Sequence, residues 1–440
     1  MAGVLTRGEQ REAEVVSLAH DGRGVARIEG KAVFIAGALP GERVRVEILR
    51  RRRRLDEARL VEVLAASPER VAPRCAHFGV CGGCALQHLQ GAAQLREKER
   101  QLLEDLERIG GVRPARVLEP LRGPVWAYRR RARLGVRYVR KKGRVLAGFR
   151  ERDQPYLADL SRCEVLVEPF ATLPAEIAAL VETLSIREQV PQVELAVGDT
   201  AAALVFRVMQ PPEPADLLRL AAFGRRVGAR ILLQTGGLAT IRELDGEPVT
   251  LDYAIEGFDL RLGFGPADFV QVNRRINDAM VAAAVAALDP GPKETVLDLF
   301  CGLGNFTLPL ARRAAEVVGI EGEEGLVARA RANAAANGIA NAAFHAANLF
   351  EPEGFGGWAE RRYDKVLLDP PRAGARELIP WMARWRPGRV VYISCHPGSL
   401  ARDAGLLVAA GEYELAAAGV MDMFPHTTHV ESIAVFERRR

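Results

Sequence analysis

The sequence predicts a multidomain chain: a small N-terminal β-barrel of the oligonucleotide-binding (OB) kind, a central α+β region, and a C-terminal Rossmann-like α/β domain. Three observations carry this. At 440 residues the chain is longer than one hydrophobic core supports. Residues 1–66 alternate apolar and polar positions in short runs broken by glycine. From about residue 266, apolar runs end in turns bearing glycine, acid or proline, the mark of strands alternating with helices. The boundaries follow as 1–66, 67–265 and 266–440.

Composition limits the class. Apolar residues make up 48% and charged residues 27%, as in an ordinary globular protein. No apolar run nears the roughly 20 residues needed to cross a bilayer, and Met1 to Gln10 lacks an apolar signal core. The expectation is a cytoplasmic monomer with no membrane attachment. Six cysteines are too few for a secreted disulfide scaffold. The net charge of +5 conceals a concentration: residues 129–152 hold eleven Lys and Arg against the single acid Glu151. A local basic patch on an otherwise acidic chain points to a polyanion, most often nucleic acid.

In the first region, Ala13–Ala19, Gly24–Ile28, Lys31–Ile35 and Glu42–Ile48 read as strands of a five-stranded barrel. Arg50 to Arg54 follow, five consecutive arginines suited to a phosphate-contacting edge or to plain solvation. Next comes Cys75-Ala-His-Phe-Gly-Val-Cys81-Gly-Gly-Cys84, with a further cysteine at Cys163. Four thiolates can close a zinc site or hold an iron–sulfur cluster; three grouped cysteines plus one distant one suit the cluster better than the paired C-x2-C of zinc. Residues 94–109 read as a charged helix. Tyr128–Tyr138 and Arg144–Arg150 flank the turn Lys141-Lys-Gly143 as a β-hairpin, and Tyr128, Tyr138 and Phe149 interleave with its cations. Arginines for phosphate and rings for unpaired bases are what single-stranded RNA asks of a surface. Residues 170–260 read as mixed scaffold.

The last region carries the chemistry. Thr295–Phe300 is a strand, Cys301-Gly-Leu-Gly-Asn-Phe306 a glycine turn, Thr307–Arg313 a helix, and Glu316–Glu321 a strand with an acid at its tip. The turn lacks the third small residue of a dinucleotide fingerprint, which disfavours a nicotinamide cofactor and suits S-adenosylmethionine. Lys365–Asp369 ends a third strand in a carboxylate fixed by Pro370 and Pro371. Arg389–Ser394 is a fourth, running into Cys395 and His396. A thiol at the carboxyl end of a sheet strand is placed for chemistry, and His396 is expected to lower its pKa. Glu431 is expected in a loop shared with Asp422, His426 and His429, ahead of a final strand Ser432–Phe436.

Taken together, Asp298-Leu-Phe-Cys-Gly-Leu-Gly-Asn305, Asp369-Pro-Pro-Arg372, Ser394-Cys395 and Asp422-Met-Phe-Pro-His-Thr-Thr-His-Val-Glu431 resemble the RNA uracil-C5-methyltransferases. The cysteine run and the barrel are similar to the large-subunit (23S) ribosomal RNA branch of that family, which joins a TRAM domain to a four-iron (4Fe-4S) cluster. The resemblance implies Cys395 as nucleophile and Glu431 as base. It implies Cys75, Cys81, Cys84 and Cys163 as cluster ligands, and Gln271, Phe300, Asn305, Glu321, Asn348 and Asp369 around the methyl donor. It casts Cys301 as a structural turn residue. The implied reaction is methylation of uridine C5 in 23S ribosomal RNA through a covalent bond from Cys395 to C6, on a base flipped out or already single-stranded. A different uridine of ribosomal or transfer RNA, a cytosine-C5 enzyme, and a non-catalytic iron–sulfur RNA-binding protein stand as alternatives.

Overall fold

The computed structural model describes residues 8–439. They form two compact units: the chain through Gln101 with Arg150–Ala158 and Phe424–Thr428, and the remainder. The region expected as one central domain is thus shared between both units.

In the first unit, strands Gln10–Leu18 (β1), Gly24–Ile28 (β2), Lys31–Ala36 (β3), Arg43–Arg51 (β4) and Leu55–Ala65 (β5) close a barrel in the order β1-β2-β3-β5-β4. Alternation does the sorting: in β4, Val44, Val46 and Ile48 are fully buried, while Arg43 and the stretch from Leu49 onward face solvent. β5, the longest of the five, is the strand no apolar run announces, because its inward position 56 holds an aspartate. Asp56 is completely buried and accepts from Lys31 Nζ at 2.6 Å. The same strand ties down part of the arginine run, with Arg52 at 3.1 Å from Glu57. Beneath the barrel, buried Glu42 accepts from both arms of Arg70, at 2.5 and 2.8 Å, and from Leu39 N at 2.8 Å. Burial raises its pKa, but Arg70 and the backbone amides outweigh burial and hold the carboxyl below its usual range.

A helix, Gly91–Arg108 (α1), follows, and then the short strand Arg116–Val117 (β6). The second unit contains a six-stranded sheet of order β12-β11-β10-β9-β7-β8. Its strands are Arg131–Val139 (β7), Arg144–Gly148 (β8), Gln192–Val197 (β9), Ala202–Arg207 (β10), Arg230–Gln234 (β11) and Ile241–Glu243 (β12). Helices Leu173–Glu182 (α2) and Pro214–Val227 (α3) lie between these strands in the chain. The hairpin expected around Lys141–Gly143 is present as β7 and β8, and Gly143 has the left-handed φ of 64° that the turn requires. A two-stranded ribbon, Leu251–Ile255 (β13) with Leu260–Phe264 (β14), leads to helix Arg274–Leu288 (α4).

The remaining strands are Thr295–Leu299 (β15), Glu316–Glu321 (β16), Ala342–Ala346 (β17), Lys365–Leu368 (β18), Arg389–Ser394 (β19), Tyr413–Met421 (β20) and Glu431–Arg438 (β21). They form a sheet of order β17-β16-β15-β18-β19-β21-β20-β6, parallel from β17 to β19. β15, β18 and β19 are buried almost throughout, as strands covered on both faces must be. Helices Thr307–Ala311 (α5), Glu324–Ala336 (α6), Met382–Trp385 (α7) and Pro397–Ala409 (α8) connect them. The chain winds from β15 outward to β17, then returns to β18 beside β15. That reversal between β15 and β18 is the topological switch point, where ligands bind in such sheets. Among the described residues no helix is long and apolar enough to cross a membrane.

Candidate active site

The sheet order sets out the candidate residues side by side. Reading across the carboxyl ends, Asn348 follows β17, Glu321 ends β16, Phe300 follows β15, Asp369 follows β18, Cys395 follows β19 and Glu431 opens β21. Neighbouring strands are about 4.8 Å apart, so all six fall on one short edge astride the switch point.

On the β15 side, the turn after Leu299 is held open by left-handed backbone: φ is 64° at Phe300, 55° at Gly302 and 98° at Gly304. A phenylalanine in that region costs on the order of 1–3 kcal/mol, and such strain gathers where a backbone must present itself to a ligand. The Glu321 carboxylate accepts from Gly302 N at 3.0 Å and from Gly322 N at 2.7 Å, which fixes it at the tip of its strand. Beneath the turn, fully buried Asp298 accepts from the Thr307 hydroxyl, and burial pushes its carboxyl up to about 7. Asn305 does not point away from the protein: it exchanges hydrogen bonds of 3.0 and 3.1 Å with Asn277 and accepts from Tyr253 at 2.9 Å. It pins the turn to α4, with one amide hydrogen to spare. Gln271 is half-buried in the loop before α4, whose N-cap is Asn273. Cys301 is buried, and burial raises its thiol pKa well above the usual value, as suits a packed turn residue.

On the β18 side, register does the positioning. β19 and β21 run antiparallel with Ser394 opposite Ser432, so Cys395, the residue after β19, and Glu431, the first residue of β21, come to the same end of the pair, where the Glu431 charge acts on the thiol. Glu431 is not in a loop, as expected, but is the first residue of β21, paired with Met421 and 6% exposed. Its expected neighbours divide between the two units. Asp422 is buried in the second unit and His429 is exposed there. His426 belongs to the first unit, its Nδ1 3.2 Å from Gln94 Nε2.

His396 also departs from expectation. Its Nδ1 accepts from Ser399 N at 3.1 Å and caps α8, a role worth about 1 kcal/mol to the helix. The thiol shift runs opposite to the expected one. Burial, then Glu431, then Asp369 push Cys395 up to about 11, and Arg372 opposes them. Asp369 is itself pushed up to about 7 by burial. The ligand-free thiol is therefore protonated at neutral pH. Alkylation of Cys395 by iodoacetamide is expected to be slow at pH 7 and to rise nearly tenfold per pH unit until about pH 11; a plateau near pH 8 would contradict this environment.

One positioning residue has no sequence signature. Asp403 of α8 is fully buried, and its Oδ2 accepts from Ala375 N at 2.8 Å and from the Tyr392 hydroxyl at 2.7 Å. Arg402 donates to Ala373 O at 2.8 Å. Between them Gly374, at φ 85°, has no room for a side chain: a Cβ would lie 2.5 Å from Asp403. The helix that starts just after the thiol thus clamps the loop carrying Asp369 and Arg372.

In the first unit, Cys75, Cys81 and Cys84 share one turn-rich loop. Phe78 N donates to Cys75 O at 3.1 Å, Cys81 N to His77 O at 2.9 Å, and Gly83 N to Cys81 Sγ at 3.4 Å. Gly82 N donates to Arg150 O at 2.8 Å, joining the loop to Arg150–Ala158. Cys163 is buried in the second unit. Among the described residues no three or more His, Cys, Asp or Glu stand together as a ready-made ion site. The donor chemistry nonetheless fits an iron–sulfur ligand set: thiols on a glycine-bearing loop with an amide aimed at sulfur.

The basic hairpin requires a correction. Arg130 is buried and paired with Asp199 at 2.7 Å, and Arg131 donates to Pro266 O at 3.1 Å, so neither is a phosphate contact. Arg133 and Arg140 pair with Glu194 and Glu188 at 3.0 and 2.8 Å. Tyr128 is 5% exposed and offers no stacking face. Arg137, Lys141 and Lys142 face solvent. The sequence counted charges correctly, but acids from distant strands neutralise part of the patch.

Fold and site together describe an α/β methyltransferase with an appended barrel. Family profiles match a TRAM domain over residues 4–61, a methyltransferase domain over 290–378, and tRNA (Uracil-5-)-methyltransferase over 358–439. The chain is 52% identical over 431 residues to the 23S rRNA (uracil(1939)-C(5))-methyltransferase RlmD of Stenotrophomonas maltophilia, covering 97% of each. It is 53% identical over 432 residues to that of Alkalilimnicola ehrlichii, covering 98% of this chain and 97% of the other. The crystal structure of the Pyrococcus abyssi tRNA (uracil-54, C5)-methyltransferase in complex with S-adenosyl-L-homocysteine shares the fold, with a TM-score of 0.72 at 24% identity over 97% of this chain and 100% of the other. The chain belongs to the 23S rRNA (uracil(1939)-C(5))-methyltransferase family.

Proposed function

We propose that this chain transfers the methyl group of S-adenosylmethionine to C5 of a uridine in 23S ribosomal RNA, with Cys395 as nucleophile and Glu431 as base. The observation that carries it is the order of side chains along the sheet edge: Glu321 and Phe300 for the donor, Cys395 and Glu431 for the base, and Asp369 between them at the switch point. Gln271, Asn305 and Asn348 complete the proposed donor side.

C5 of uracil is a weak nucleophile until the ring's conjugation is broken. The Cys395 thiol first gives up its proton to solvent, and attack of the resulting thiolate on C6 forms a C–S bond and moves the C5–C6 π pair into an enolate. C5 then displaces the methyl group from the donor's sulfonium, releasing S-adenosylhomocysteine. Glu431 takes the C5 proton, the C5–C6 double bond re-forms and the C–S bond breaks, returning the thiolate. Attack at C6 and proton removal at C5 engage adjacent ring atoms, which the placement of Cys395 and Glu431 at one end of the β19–β21 pair supports. Both faces of the ring must be reachable, so the base has to be unstacked.

Cys75, Cys81, Cys84 and Cys163 are proposed to hold a four-iron cluster. The exposed tip of the hairpin and the arginine run are proposed RNA phosphate contacts, and the working unit a cytoplasmic monomer. The overall assignment is tested with radiolabelled donor and 23S RNA: label recovered as 5-methyluridine supports it, and label in 5-methylcytidine or none at all removes it.

The two classes of arginine should separate cleanly. Replacing Arg137, Lys141 and Lys142 by alanine is expected to flatten the slope of log affinity against log salt by up to about three without loss of stability. Arg130→Ala removes the nearer of the two arginines paired with Asp199, leaving Arg274 at 3.4 Å, and is expected to cost about 2 kcal/mol in urea unfolding. An unchanged salt slope in the triple variant would assign the hairpin to solvent.

A further inference from the structure

We propose that Gln94 is a positioning residue for Glu431: it anchors the tip of the loop between β20 and β21 and so keeps the carboxylate at the end of that loop in place for proton removal. The inference rests on the proposed role of Glu431 as base.

β20 and β21 are joined by residues 422–430, and the strand pair nearest that loop is Met421 with Glu431. The last pair of a hairpin is the first to open, and a long connection does little to hold it shut. Here the hold comes from the tip of the loop, which belongs to the first unit. Phe424 O accepts from Thr427 N at 3.3 Å and from Lys98 Nζ at 3.0 Å, closing a tight turn against α1. Within that turn His426 is left-handed, at φ 66°. A side chain other than glycine is strained there, and the conformation persists only where the surroundings over-determine it.

The surroundings do so. His426 N donates to Gln94 Oε1 at 2.9 Å, and His426 O accepts from Ala85 N at 2.8 Å and from Leu86 N at 2.9 Å. The ring Nδ1 lies 3.2 Å from Gln94 Nε2. Next to the turn, Gly22 at φ 80° has no room for a side chain, since a Cβ would lie 2.9 Å from Thr428 Cγ2. Gln94 is the centre of the arrangement. It is 2% exposed, and its Nε2 also donates to Leu86 O at 3.0 Å and Leu89 O at 2.7 Å. One side chain thus joins α1, the segment before it and the loop tip. Both ends of its amide are used by the protein itself, so its part in the reaction is mechanical.

From Thr428 the chain runs through His429 and Val430 to Glu431. A general base must stand within hydrogen-bond reach of the proton it takes, and a misplacement of about 1 Å costs on the order of a hundredfold. Attack by Cys395 and methyl transfer make no such demand on Glu431. Loosening the loop tip should therefore slow the last chemical step alone.

Gln94→Ala, given radiolabelled S-adenosylmethionine and 23S RNA, tests this. Methyl transfer in the first turnover is expected to stay within about threefold of wild type while steady-state turnover falls at least about tenfold. Labelled protein–RNA adduct resistant to denaturation should accumulate, and affinity for S-adenosylhomocysteine by calorimetry should not change. A general loss of structure would lower donor binding, first turnover and steady-state rate together and trap nothing. Gln94→Glu keeps the acceptor for His426 N but cannot donate to Leu86 O and Leu89 O. It is the milder variant should Gln94→Ala unfold, and should trap the same adduct in lower yield. Wild-type turnover, or a fall in turnover without adduct, in the variant that folds overturns the proposal. Glu431→Gln, run in parallel, separates the two levels. If it traps no adduct, the proposed base is wrong and this inference falls with it; if it traps adduct and the Gln94 variants do not, only the positioning role fails.

Discussion

Cys395→Ala is expected to lower turnover by at least about 10⁴-fold and to form no covalent complex with RNA, whereas Glu431→Gln should stop at one and accumulate it. The two residues lie at the same end of the β19–β21 pair, yet they act at opposite ends of the life of one intermediate. Without the sulfur there is no enolate and nothing for the methyl group to transfer to. Without the carboxylate, attack and methyl transfer still proceed, but the C5 proton stays and the C–S bond cannot break. A protein–RNA band resistant to denaturation, carrying label from the methyl donor, is the expected signature of Glu431→Gln. RNA containing 5-fluorouridine should trap the wild-type enzyme in the same way, because fluorine cannot leave C5 as a proton. Turnover in Cys395→Ala would end the mechanism. An inactive Glu431→Gln that binds both substrates without trapping adduct would reduce Glu431 to a positioning residue.

The parts of this site legible in the sequence are those set by local patterns. Val-Val-Tyr-Ile-Ser ahead of Cys395 is a strand because β-branched and aromatic residues fill both of its buried faces, and the polar turn after it follows from Pro397 at the start of α8. The ends of β15, β16 and β18 are legible for the same reason: a glycine turn, an acid and a double proline each stop a buried apolar run. Alternation is equally plain in β4, and the barrel follows from it.

What escaped the sequence depends on partners far away in the chain. Arg130 looks like a phosphate ligand because its neighbours are basic, and only the fold sets Asp199 against it. His396 looks like an activator because it adjoins the thiol, but the chain turns into α8 there and the ring is needed by Ser399 N. Asp403 lies within an ordinary amphipathic helix, and its role appears only when Ala375 N and the Tyr392 hydroxyl both reach it. β5 is hidden by an inward aspartate that makes sense only with Lys31 beside it. Arg130 and His396 were read as serving a ligand or the thiol when the fold uses them for its own structure, while Asp403 and Asp56 carry no sign of their buried roles in the sequence.

The cysteine loop should give the largest change visible by eye. Protein purified without oxygen is expected to be brown and to hold about four irons per chain, since four thiolates with this grouping suit a cubane cluster. Cys81 is the informative proposed ligand to remove, because its sulfur already receives the Gly83 amide and its backbone is bonded to His77. Cys81→Ala should lose essentially all iron and the visible absorption with it. Because the first unit contains this loop while Cys395 and Glu431 lie in the second, the reactive thiol offers a separate readout. Its alkylation rate should keep the same pH dependence in whatever fraction of Cys81→Ala remains folded, while thermal stability falls. Colourless wild-type protein with one zinc per chain would assign the loop to a zinc site instead. Iron retained in Cys81→Ala would show that this cysteine is not a ligand.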